Sequence, residues 1–160
     1  MNNYLSTLTS ISTDTLIVGG LVALFFFIAV HFGKGYITAI IISVYVSIFL
    51  YGNAFFVQNL VFVENEPDKL FWNHLGIMLL FLIPVFYVLK NIVTGDYGRR
   101  GKVIGAGLMA IGAAGLVISI FYQVLPITPV YDFSAGIDSL FSSDKMLTVW
   151  LILPLILLFF

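Results

Sequence analysis

His31 and His74, the aspartates Asp132, Asp138 and Asp144, and the run Gly98-Arg-Arg-Gly-Lys102 are the side chains of this sequence best placed to do chemistry. Two imidazoles are a start on a metal or haem site, carboxylates at six-residue steps on a divalent-cation site, and basic residues among glycines on a phosphate cradle. Each reading meets an obstacle. The histidines fall near opposite ends of two different apolar runs, which separates them by about 20 Å or more at helical rise. The aspartate spacing does not follow a calcium loop and reads as a solvated face. The segment from Gly98 to Gly107 has neither G-x-x-x-x-G-K-[ST] nor G-x-G-x-x-G after a strand. It reads instead as a cytoplasmic basic loop, Lys90, Arg99, Arg100 and Lys102, that anchors on anionic lipid at about 1 kcal/mol per charge, or that meets a cytoplasmic partner. With no Cys, thiolate metal sites, disulfides and cysteine nucleophiles are excluded. No G-x-S-x-G occurs, and no acid, base and nucleophile converge. The residues therefore imply no enzyme, no cofactor and no metal, and no long basic stretch points to nucleic acid.

The elements that carry these residues explain why so little chemistry is present. Hydrophobic residues make up 61% of the 160-residue chain and charged residues 9%, against about 25% charged in a soluble domain. The solvent for most of the chain is lipid. Each crossing of the roughly 30 Å of hydrocarbon takes about 20 apolar residues, so four or five spans use most of the chain as one membrane domain, 1–160. The expected fold is all-α, an integral membrane helical bundle. Its spans run about 15–32, 36–63, 70–93 and 103–125. A short amphipathic surface helix follows at about 130–143, then an apolar tail or candidate short fifth span at 146–160.

Charges sort between alternate gaps. Lys34 lies between the first and second runs, and Lys90, Asp96, Arg99, Arg100 and Lys102 lie around the third gap, both net positive. Asp14, Glu64, Glu66, Asp68, Lys69, Asp132, Asp138, Asp144 and Lys145 make the other gaps and flanks net negative. The positive-inside rule then puts the first and third loops in the cytoplasm and the N-terminus outside. Residues 1–13 read as a short polar tail. Gly33-Lys-Gly35 is too short for anything but an antiparallel turn, with glycine supplying the backbone freedom. Asn53, Gln58 and Asn59 indicate that the long second span tilts or leaves the membrane. Pro84 bends the third span, and Pro126 and Pro129 stop the fourth. The tail carries Pro154 and is short for a crossing, which leaves three alternatives: it crosses a thin bilayer, inserts partway, or is cut short. No Asp, Glu, Lys or Arg falls in the middle of a span, where pumps, proton relays and voltage sensors place one.

Small residues recur at helical spacing. Gly35, Ala39, Ser43 and Ser47 form a stripe on the second span, and Gly101, Gly105, Gly112, Gly115 and Ser119 a seam on the fourth. Such faces let helix backbones approach closely, either within one bundle or between copies or subunits. The hydroxyl row Thr38, Ser43, Tyr45, Ser47 and Tyr51 supports a second reading, a pore made by oligomerisation, although it covers more than one helical face.

Asp14 ahead of the first span, the turn His31-Phe-Gly-Lys-Gly-Tyr36, and Lys102-Val-Ile-Gly105 opening the fourth resemble the colicin V production family of small bacterial inner-membrane proteins. The family's Arg after the first span is missing, and Met109 and Ala113 stand where it has glycines. The resemblance implies a protein of the bacterial inner (cytoplasmic) membrane tied to envelope homeostasis or export, with no established chemistry. The expected function is a non-enzymatic, multi-pass accessory or scaffolding subunit whose partners are the bilayer and other membrane subunits or copies of itself.

Overall fold

In hydrocarbon a backbone must satisfy its own polar groups, so long uncharged runs have one open-ended solution, the helix. The computed structural model describes residues 2–61, 67–93, 103–125, 127 and 130–159, with side chains from Thr13 onward except at 58, 67 and 68. Among these residues the chain is all-helical and contains no strand. The helices are α1 (Asn2–His31), α2 (Lys34–Asn53), α3 (Pro67–Val93), α4 (Val103–Gln123), α5 (Ala135–Phe141) and α6 (Asp144–Leu157). Thr13–His31, Lys34–Asn53, Lys69–Val93 and Val103–Gln123 are each long and apolar enough to cross a membrane.

Several boundaries differ from those expected. Residues 2–13 are helical rather than a tail, because a helix already nucleated by the apolar run extends outward at little further cost. The second span ends at Asn53, well short of Val63. Gly52-Asn53 is a helix-stop pair, the Asn53 amide bonds back to the Phe49 carbonyl at 2.8 Å, and the still apolar residues beyond fold into turns and a single 3-10 turn, Gln58–Leu60. Of the expected surface helix 130–143, only Ala135–Phe141 is helical, and residues 131–134 form an irregular strap. At the other end of the bundle, Gly33 joins α1 to α2 with φ 92 and ψ 170, a backbone state only glycine adopts without strain.

Helix α4 is the hub. It packs along α1 on one side and α6 on another, while α2 packs chiefly along α3. The membrane stretch of α4 is 61% buried and that of α3 only 11%. Ile37, Ile41 and Val44 of α2, Met78 of α3, Phe25 and Ala29 of α1, and Met109, Ala110, Ala113, Leu116 and Ile120 of α4 make one continuous core.

Helix α6 starts at an N-cap the sequence carries in Ser143-Asp144. The Ser143 hydroxyl accepts the Met146 N–H at 3.3 Å, and Asp144 sits in the first turn where its charge complements the helix dipole. After a 67° bend from α5, α6 runs back along α4, with Trp150 over Gly115 and Leu157 beside Gly112. Gly112 lies about 16 Å down α4 from Gln123 at helical rise. The helix stops at this depth, with Leu158 and Phe159 in a turn.

Candidate functional site

The two small-residue faces are occupied within the chain. Ala39, Ser43 and Ser47 are fully buried and Gly35 is buried. The Ser43 and Ser47 hydroxyls turn back on their own helix, donating to the Ala39 and Ser43 carbonyls at 2.6 Å each. On α4, Gly112 and Gly115 are where α6 comes closest, and a Cβ on Gly115 would lie 2.0 Å from two atoms of the Trp150 ring. Ser119, further along, is wholly buried. Gly105 is different, with nothing within 4 Å of where its Cβ would stand, so the close approach covers only the half of the seam that faces α6. Gly101 lies outside the described residues, as do Arg99, Arg100 and Lys102. Lys90 is half-buried near the end of α3, with its ammonium 5.1 Å from the Tyr87 ring centre. An assembly surface made of the α2 stripe would require the bundle to open.

The hydroxyl row is likewise turned inward. Thr38 donates to the Lys34 carbonyl at 2.9 Å, Tyr45 donates to the Leu151 carbonyl of α6, and Tyr51 bonds His74 Nδ1. The hollow between α2, α3 and α4 and the one between α1, α4 and residues 127–133 are lined by apolar side chains. His31 stacks on Phe27 at 5.4 Å, with its edge contact to Phe32, on the exposed surface. No group of three metal-ligating side chains occurs among the described residues.

Polar side chains do converge at one place, the end of the bundle where α1 meets the strap. Asp14 sits in the first turn of the apolar part of α1 and is 1% exposed. One carboxylate oxygen accepts the Tyr131 hydroxyl at 2.7 Å and the other the Ser134 N–H at 2.8 Å. Nearby, Tyr122 at the end of α4 donates to Asp138 at 2.6 Å, and the Gln123 amide donates to the Ser142 carbonyl at 2.7 Å. Aromatic rings continue the contact. Phe141 stacks on Trp150 at 5.0 Å, Tyr122 stacks on Phe141 at 6.2 Å, and Trp150 Nε1–H reaches the Leu140 carbonyl at 3.0 Å. Asp132 and Asp144 are exposed, as a solvated face requires, but Asp138 is held. This cluster fastens α5 and α6 to α1 and α4. Its geometry is that of a clasp.

The clasp should respond to alkali. The bond to the Asp14 carboxylate pushes the Tyr131 phenol above its ordinary 10.0. Because the folded value is the higher one, the stabilisation is complete below about pH 10 and is lost as pH rises through the folded value. Fluorescence of a label on the strap should therefore report alkaline loosening that Tyr131→Phe removes. An identical alkaline transition in that variant would assign it to another group.

Fold and cluster together define the class: an all-helical, multi-pass membrane protein, with polar side chains that knit its own helices. The chain matches no protein-family model, no curated protein and no solved structure.

Proposed function

We propose that this chain is a non-enzymatic accessory or scaffolding subunit of a bacterial envelope or export assembly in the inner membrane, with its N-terminus outside. One observation carries the reading. Tyr51 and His74, Tyr122 and Asp138, and Tyr131 and Asp14 bond each other within the chain, whereas only 11% of the membrane stretch of α3 is buried. The sorted charges and the resemblance to the colicin V production family support the location. The working surface is then the outward side of α3, where Leu60, Trp72, Asn73, Gly76, Ile77 and Leu80 line a hollow of about 300 Å³. Gly76 has open space at its Cβ position, which is where the helix of a neighbouring subunit can approach.

Isolation from the native membrane in a mild detergent should yield a complex heavier than the 17.7 kDa chain, with other subunits present. A Cβ at Gly76 meets no described atom within 4 Å, so Gly76→Leu should release those subunits with little change in thermal unfolding of the isolated chain. A monomer from native membranes, or an undisturbed complex in Gly76→Leu, counts against α3 as the surface.

A further inference from the structure

We propose that the helix docking on α3 carries a side-chain hydrogen-bond donor, a hydroxyl or an amide, that closes on the backbone carbonyl of Leu80. This inference rests on the reading of α3 as the working surface and names what the partner must bring to it. Pro84 stands inside α3. Proline has no N–H, so the Leu80 carbonyl four residues earlier lacks the donor that an α-helix ordinarily returns to it. Among the described residues no side chain donates to that carbonyl.

Position decides what the missing bond means. Leu80 lies near the middle of Lys69–Val93 and is 59% exposed, Pro84 is exposed one turn further on, and Trp72, Ile83 and Tyr87 continue the same outward stripe. No water solvates a carbonyl in hydrocarbon, and an acyl chain has no donor to give it. A proline in a spanning helix is tolerated where a neighbouring group re-satisfies the freed carbonyl. Another helix can do so only if its backbone comes near. Gly76 permits that one turn before Leu80, about 6 Å at helical rise, with open space where a Cβ would stand, and both residues line the same hollow. Asn73, two turns before Leu80 on this face, makes the same demand. Its Nδ2 donates to the Leu60 carbonyl at 3.2 Å, while its buried Oδ1 has no partner among the described residues. Both acceptors call for donors, so the complement is a helix bearing Ser, Thr, Asn, Gln or Tyr, of the kind that hydrogen-bonds across membrane helices.

The test uses the full chain in its native membrane, with a diazirine amino acid in place of Leu80. After photolysis the cross-linked peptide should come from a membrane helix of another subunit and hold one of those donor residues within a turn of the cross-link. Replacing that residue by Ala or Val should cut co-isolation in mild detergent several-fold. Pro84→Ala is the companion variant, because it returns an N–H to the Leu80 carbonyl and leaves the partner's donor without its acceptor. It should also cut co-isolation several-fold, while the isolated chain unfolds at the same or a higher temperature. The cross-link stands as a separate measurement wherever Pro84→Ala alters the bend of α3. A cross-linked helix that is apolar throughout, or a complex that withstands both replacements, would overturn the donor and leave α3 as the surface. Cross-links to lipid alone would remove the α3 surface and this inference with it.

Discussion

Alanine at Gly115 should destabilise the bundle by about 3 kcal/mol, the upper end for inserting a methyl into a packed core. The new Cβ would stand 2.0 Å from Trp150 Cε3 and Cζ3 and 2.8 Å from Cδ2. A rigid ring cannot yield by rotating a terminal bond, and this one is fixed by its Nε1–H bond to Leu140 and its stack on Phe141. The helix must therefore lift from α4. The control lies on the same seam. Gly105→Ala meets nothing within 4 Å and should be neutral or slightly stabilising, as alanine is the better helix former by about 1 kcal/mol. Trp150→Ala will itself be destabilising, but adding Gly115→Ala to it should cost nothing more, a coupling of about 3 kcal/mol. Equilibrium unfolding in mixed detergent measures all four. A Gly115→Ala protein as stable as its parent, or a penalty that persists without the indole, would show that α6 does not rest there.

That contact also marks the limit of what could be read from residues in order. The four long helices were legible because span length and hydropathy are local properties of the chain. The glycine turn was legible for the same reason, since Gly33 adopts a backbone state other residues avoid. The end of α2 was not, because hydropathy does not distinguish a helix from apolar turns and Ala54 to Val57 are as greasy as the helix before them. A small-residue spacing shows that something comes close without saying what. On α4 the neighbour is α6 of the same chain, and the helix left most exposed is α3, which has few small residues to draw the eye. Asp14 stood as a flank residue, and nothing near it in sequence points to partners 117 and 120 positions away.

Removing that carboxylate is the other large effect expected. Asp14→Leu deletes two charge-assisted hydrogen bonds and leaves the Tyr131 hydroxyl and the Ser134 N–H without their acceptor, a loss of about 2–4 kcal/mol. Asp14→Asn keeps one acceptor oxygen but turns an amide donor toward a second donor, so it should fall between the two. The chain has no cysteine, so a nitroxide pair at Leu16→Cys and Gly136→Cys reads the clasp directly. The distance distribution should be narrow with Asp14 present and broad in Asp14→Leu, at unchanged helix content. Matching distributions would reduce Asp14 to a bystander. The strap leads straight into α5 and α6, so Asp14 and Gly115 hold the same unit from its two ends. Once either has released it, the other has less left to lose, and the Asp14→Leu, Gly115→Ala double variant should be less destabilised than the sum of its parts. Strict additivity would mean that the strap and α6 are held independently.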